Sequence, residues 1–255
     1  MTKCLGLVLC AAIALFLSPV SARCGESWTE PQTGMEFVWV SGACYQMGCG
    51  SWGTDCGNDE TPVHEVCVDG FWMGTYEVTQ SQWEQVMGAN PSHFVNPDSP
   101  VEKITWDDVQ TFINKLGALS GESFRLPTEA EWEFAARSGG LAQQYAGGGD
   151  LGAVAWYDGN SGRTTHPVGQ LAPNGLGLYD MSGNVHEWVQ DAYDRRAYES
   201  HAGSNPLVTS GSDRRVIRGG SWAHEASFQE ASRRNRIQAT SSNTQIGFRL
   251  VRSGN

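Results

Sequence analysis

Lysine is almost missing from this chain: Lys3, Lys103 and Lys115 are the only three in 255 residues, and 28 acidic against 17 basic residues leave a formal net charge of -11. The broad basic face that holds a phosphate backbone is therefore excluded, and nucleic acid with it. No cysteine occurs after Cys67, and no CxxC pair of a zinc ribbon or finger is present. Beyond residue 22 no apolar run is long enough to cross a membrane. Neither a polar linker nor a repeat of the solenoid kind divides the sequence, so a single domain is expected. With 40% hydrophobic residues, 31 glycines and 10 prolines, a coiled coil and a wholly disordered chain are excluded too.

What is present begins with an export signal. Lys3 supplies a positive start, Leu5 to Leu17 form an apolar run, and Pro19-Val20-Ser21-Ala22 offers small residues for cleavage after Ala22. The expected organisation is a signal peptide over 1–22, an N-terminal extension over 23–33 and one domain over 34–255. Arg23 precedes Cys24 where a lipid anchor needs a small residue. The mature protein is expected to be secreted or periplasmic, monomeric and without a membrane span.

Five cysteines survive that cleavage: Cys24, Cys44, Cys49, Cys56 and Cys67. Alternation around Cys44-Tyr45-Gln46-Met47 and across Val63 to Val68 turns Tyr45, Met47, Val66 and Val68 inward and Cys44 and Cys67 outward. Neighbouring antiparallel strands would pair Cys44 with Cys67, and Cys49 with Cys56 would close the loop between them, leaving Cys24 odd. Zinc is the rival reading of these thiols; an oxidising compartment favours disulfides.

Arginine is concentrated at the C-terminal end. Between Arg214 and Arg252 eight arginines face only Glu225 and Glu230, so this segment carries +6 and the remainder -17. Such arginines either pair with the domain's own carboxylates or line a pocket for an anion. Helical signals are few. Thr79 with Gln82 opens a helix stopped by Gly88; Thr105 opens a second with Val109, Phe112, Ile113 and Leu116 on one face; Thr128 with Glu131 opens a third. After residue 140 short apolar pieces alternate with Gly, Asn, Asp and Ser, so the expected class is α+β with little regular structure.

Gly34 to Val38, Tyr45 to Gly48, Tyr76 to Thr79, FRLPTEAEWE from Phe124, NGLGLYDMSGNV from Asn174, RGGSW from Arg218 and Gly247-Phe248-Arg249 occur in an order that resembles the sulfatase-modifying-factor family, which includes the formylglycine-generating enzyme. The resemblance implies that enzyme's variant of the C-type lectin fold. It also implies an active site with two copper(I)-binding cysteines a few residues after the Gly-Gly-Ser motif. Counted from Ser221, those positions fall on His224 and Gln229, which cannot reproduce a two-thiolate copper site. The six histidines also lack the HxxxHxE spacing of the family's iron-dependent branch.

A calcium loop is the family feature that the motifs retain. The resemblance implies Gly183, Asn184, Val185 and Glu187 as its oxygen ligands, with structural calcium as the cofactor; a loop satisfied without an ion is the other reading. Two functions are compatible with these motifs. One is a divergent protein- or metabolite-modifying oxidase, with Ser221, His224 and Gln229 as candidate catalytic residues. The alternative is a non-catalytic module binding a protein, peptide or small molecule, with Arg218, Trp222, Arg233 and Arg234 lining its pocket.

Overall fold

Each of the three main helices starts on a threonine whose hydroxyl accepts the backbone N–H three residues later. α1 (Gln80–Met87) is capped by Thr79 and Gln82, α2 (Trp106–Ser120) by Thr105 and Asp108, and α3 (Glu129–Ala136) by Thr128 and Glu131. In every case the third residue's side chain returns a bond to the cap's own N–H, which satisfies two end donors at once. Gly88 and Gly121 end α1 and α2 in the left-handed conformation that a side chain would resist. The structure, a computed structural model, describes residues 25–253, so the signal segment 1–22, Arg23 and Cys24 lie outside the described residues.

A five-stranded sheet runs in the order Ser27–Thr29, Glu36–Val40, Phe71–Gly74, Val251–Arg252 and Phe124–Arg125, all antiparallel. The last strand of the chain thus lies inside the sheet that the first strand begins. A second sheet orders Asn235–Gln238, Arg214–Arg218, His186–Ala192 and Ile246–Gly247, with only the last pair parallel. The hairpin Ala43–Met47 with His64–Val68 places Cys44 directly opposite Cys67. Both expected disulfides, Cys44 with Cys67 and Cys49 with Cys56, are present. Tyr45, Met47, Val66 and Val68 are buried, as the alternation requires.

Two apolar clusters flank these sheets. Met47, Val66, Phe71, Trp132, Phe134, Val189 and Val216 belong to one, while Trp83, Phe112, Leu116, Trp188, Ile246 and Phe248 belong to the other. α3 has no exposed face: all eight of its residues are buried, Glu129, Glu131 and Glu133 included. Carboxylates so placed cost free energy unless cations or hydrogen-bond donors are buried with them.

Candidate functional site

The segment that would carry chemistry begins where the strand Arg214–Arg218 ends. Gly219 and Gly220 turn through φ of 90° and 75°, a backbone conformation in which a side chain would be strained. Contacts add to the exclusion: a Cβ on Gly220 would collide with the side-chain oxygen of Gln229, and one on Gly219 would sit 3.1 Å from the Trp132 ring. The double glycine therefore drops Ser221 into the interior, where it has no exposure at all.

Gln229, at the end of a short 3-10 turn over Ala226–Gln229, folds back over this loop. Its side-chain amide nitrogen donates to the carbonyls of Ser221 at 3.1 Å, His224 at 3.0 Å and Glu225 at 3.3 Å. Its backbone carbonyl accepts the hydroxyl of Ser182, which in turn accepts the N–H of Ala146. The residue is fully buried. His224 is fixed as firmly, with its Nδ1 2.6 Å from the Ser221 hydroxyl and its ring stacked on Phe228. Its other neighbour is His186, ring to ring at 4.8 Å. Burial pushes His224 below the ordinary imidazole value, and burial followed by the charge of His224 pushes His186 down to about 3. Both rings are therefore neutral at physiological pH.

The three catalytic candidates thus meet in one place, but as a closed hydrogen-bonded loop. A serine beside a histidine base is the geometry of an activated nucleophile, yet Ser221 offers no surface to a reacting atom. Copper(I) fits no better: it requires soft thiolates, and what stands here is an imidazole whose Nδ1 is held on the Ser221 hydroxyl and a neutral amide whose nitrogen is held by three carbonyls.

The expected ligand pocket is corrected by the position of its arginines. Arg218 has no exposure and binds Glu129 at 3.2 Å and Glu133 at 2.7 Å; Arg234 grips both oxygens of Glu129 at 2.7 and 2.8 Å. Arg137 adds a second ion pair to Glu133 at 2.9 Å. Burial alone would raise Glu129, but the guanidiniums of Arg234 and Arg218 hold it below its ordinary value. These are the partners that the buried carboxylates of α3 require. Arg218 and Arg234 therefore face α3 and not a ligand, while Arg233 turns to Glu60 and the carbonyl of Asp55. Trp222 is half-buried, its indole N–H held by the carbonyl of Thr244.

The expected calcium ligands likewise have other partners. Glu187 is buried and takes Arg249 on both oxygens, at 2.7 to 2.9 Å, and the indole N–H of Trp132 at 2.7 Å. Asn184 accepts the N–H of His166 with its side-chain oxygen, and its amide donates to Glu77 at 2.6 Å. Glu187 could serve an ion only by abandoning a buried guanidinium, so the residues do not fit a calcium cradle. Among the described residues no group of three or more His, Cys, Asp or Glu is arranged to hold a metal ion.

A family model described as the sulfatase-modifying factor enzyme 1-like domain matches residues 24–254. The chain belongs to the sulfatase-modifying factor family. Among relatives, it is 32% identical over 240 residues to a chaperone protein LppX of Paenibacillus barcinonensis, a match covering 74% of this chain and 82% of that one. It is 33% identical over 201 residues to the formylglycine-generating enzyme of Streptomyces coelicolor, covering 71% of this chain and only 60% of the enzyme. The solved structure of Treponema denticola variable protein 1 covers 90% of this chain and 99% of its own, with a TM-score of 0.78 and 29% identity. For this member of the sulfatase-modifying factor family the expected fold holds: α+β, the formylglycine-generating-enzyme variant of the C-type lectin fold.

Several residues that organise this family member's loop were not singled out from sequence. Glu129 and Glu133 are the partners of the arginines, and Glu77 is the partner of Asn184. Two acids four apart on a helix otherwise made largely of Ala, Trp and Phe were the available signal for the first pair.

Proposed function

We propose that this chain is a non-catalytic, extracytoplasmic binding module of the sulfatase-modifying factor family. The observation that carries the reading is Gln229: at a position where the family resemblance implies a cysteine, a fully buried amide clasps three carbonyls of the Ser221 loop. A neutral amide that ties the loop together through its nitrogen offers neither the thiolate that copper(I) needs nor a sulfur that could bond to a substrate thiol. His224 is oriented by the same loop, its Nδ1 held on the Ser221 hydroxyl. The name of one relative, a chaperone protein, agrees with a role in binding. Export is supported by the apolar run from Leu5 to Leu17 and by the two disulfides, which persist in oxidising compartments.

Competition for copper(I) against a chromophoric chelator tests the reading. The mature protein should leave the chelator complex intact. Withdrawal of one copper per chain, lost in a His224→Ala variant, would overturn it.

A further inference from the structure

Two histidines that the sequence holds 137 residues apart meet on the disulfide hairpin. His64 begins the second strand of that hairpin, and His201 follows the short helix Ala197–Ser200. Nε2 of His64 and Nδ1 of His201 stand 3.2 Å apart. The buried ring of Tyr198 packs against both, its centroid 4.8 Å from that of His64 and 5.2 Å from that of His201, while the imidazoles themselves are half-buried and keep some exposure to solvent. Backbone bonds dock the two segments nearby: the N–H of Cys67 donates to the carbonyl of Gly203 at 2.8 Å, and the N–H of Asn205 to the carbonyl of Cys67 at 2.7 Å. The pair is thus assembled before any ligand arrives, which lowers the ordering cost of binding.

The hydrogen bonds fix which nitrogen of His64 carries its proton. Its Nδ1 lies 3.0 Å from the carbonyl of Pro62, which can only accept, so in the neutral ring the proton is on Nδ1 and Nε2 turns its lone pair to His201. A metal-binding histidine is oriented in the same way, with its far N–H given to a carbonyl. On His201 the Nδ1 bonds only to His64, and the buried Nε2 has no hydrogen-bond partner. No other hydrogen bond therefore competes for that ring.

Two nitrogens on one tetrahedral zinc ion, each at about 2.0–2.1 Å, lie about 3.3 Å from one another. The observed 3.2 Å matches that separation, so a small rotation of the rings aims both lone pairs at one point. Imidazole suits zinc, whereas calcium and magnesium require oxygen ligands. We infer that His64 Nε2 and His201 Nδ1 bind a zinc ion, with water in its remaining positions. Among the described residues no third His, Cys, Asp or Glu joins them, so the site is an open and exchangeable one. The proton that leaves Nδ1 of His201 passes to its Nε2, and both rings stay neutral. Bound there, the ion ties the hairpin to the segment after the short helix. The inference does not rest on the binding-module reading, since it uses no residue of the Ser221 loop.

Titration calorimetry of the tag-free mature protein with zinc chloride tests it. One ion per chain should bind in the micromolar range. His64→Ala and His201→Ala should each weaken that binding by about tenfold or more, a difference of roughly 1.4 kcal/mol at the least. His93→Ala, which removes an exposed histidine elsewhere, should bind as the wild type does. If either of the first two variants fails to fold, nitrogen NMR of the wild-type imidazoles decides the question, because zinc should shift Nε2 of His64 and Nδ1 of His201 and leave the other histidines unmoved. The proposal is overturned if no zinc binds, if His64→Ala and His201→Ala bind as the wild type does, or if zinc shifts other imidazoles and not these two. Each of those outcomes would leave the binding-module reading intact, and oxidation of a substrate thiol would remove that reading without touching zinc binding.

Discussion

Gln229 reaches back across eight residues to the carbonyl of Ser221, 3.1 Å from its amide nitrogen, and so closes the loop on which the family resemblance places its chemistry. Replacing it should show what that closure contributes. In Gln229→Ala the carbonyls of Ser221, His224 and Glu225 lose their shared donor in a buried setting. The expected destabilisation is about 1–3 kcal/mol, read as a lower urea midpoint at unchanged slope.

The arginines are predicted to act on stability. Arg218→Ala would leave Glu129 and Glu133 short of a buried partner, and breaking such a pair costs about 3–5 kcal/mol. Equilibrium unfolding of the variant checks this. A change of less than about 1 kcal/mol, on the order of a surface ion pair, would contradict the buried network.

How far these arrangements were legible depended on the distance along the chain between partners. Helix starts at Thr79, Thr105 and Thr128 need only a residue three positions on, and the disulfide framework follows from alternation within two short strands. Both could be read locally. The pairing of Arg234 with Glu129 spans 105 residues and that of Arg218 with Glu133 spans 85, so no local period reports them. The same arginines were compatible with an anion pocket until the burial of α3 was known. Glu187 is ambiguous for a related reason: a loop carboxylate beside Asn184 looks alike in sequence whether its partner is an ion or Arg249, 62 residues away.

Calcium dependence is expected to be absent at this loop. Chelation should leave the melting temperature unchanged, since Glu187 already has Arg249 and Trp132. Glu187→Ala should lower it by the same amount with and without chelator, because the variant strands a buried guanidinium. A chelator-induced fall in the wild type that Glu187→Ala abolishes would restore the calcium loop.

Acid sensitivity should include a contribution from His186. Its folded value of about 3 lies below the ordinary 6.5, so between these limits the unfolded chain binds more protons. Stability from this group is therefore complete above pH 6.5 and declines as the pH falls toward 3. Asp191, pushed up mainly by burial to about 7, has the opposite sign: its contribution is greatest at low pH and falls as the pH rises through that value. Denaturant midpoints between about pH 4 and 7 should show a shallower acid decline in His186→Asn than in the wild type. Parallel curves would contradict a buried neutral imidazole.

Peptide mapping without reductant should recover Cys44 joined to Cys67 and Cys49 joined to Cys56 from exported protein. Four free thiols at these positions would contradict the framework.

A Ser221 loop that is closed and does no thiol chemistry is the claim on which the functional reading turns. Mass spectrometry of a Cys-x-Pro-x-Arg peptide incubated aerobically with the mature protein and copper tests it most directly. The expected result is a peptide of unchanged mass, identical to the protein-free control apart from ordinary disulfide formation. Enzyme-dependent conversion of the cysteine to an aldehyde, abolished by His224→Ala, would contradict it.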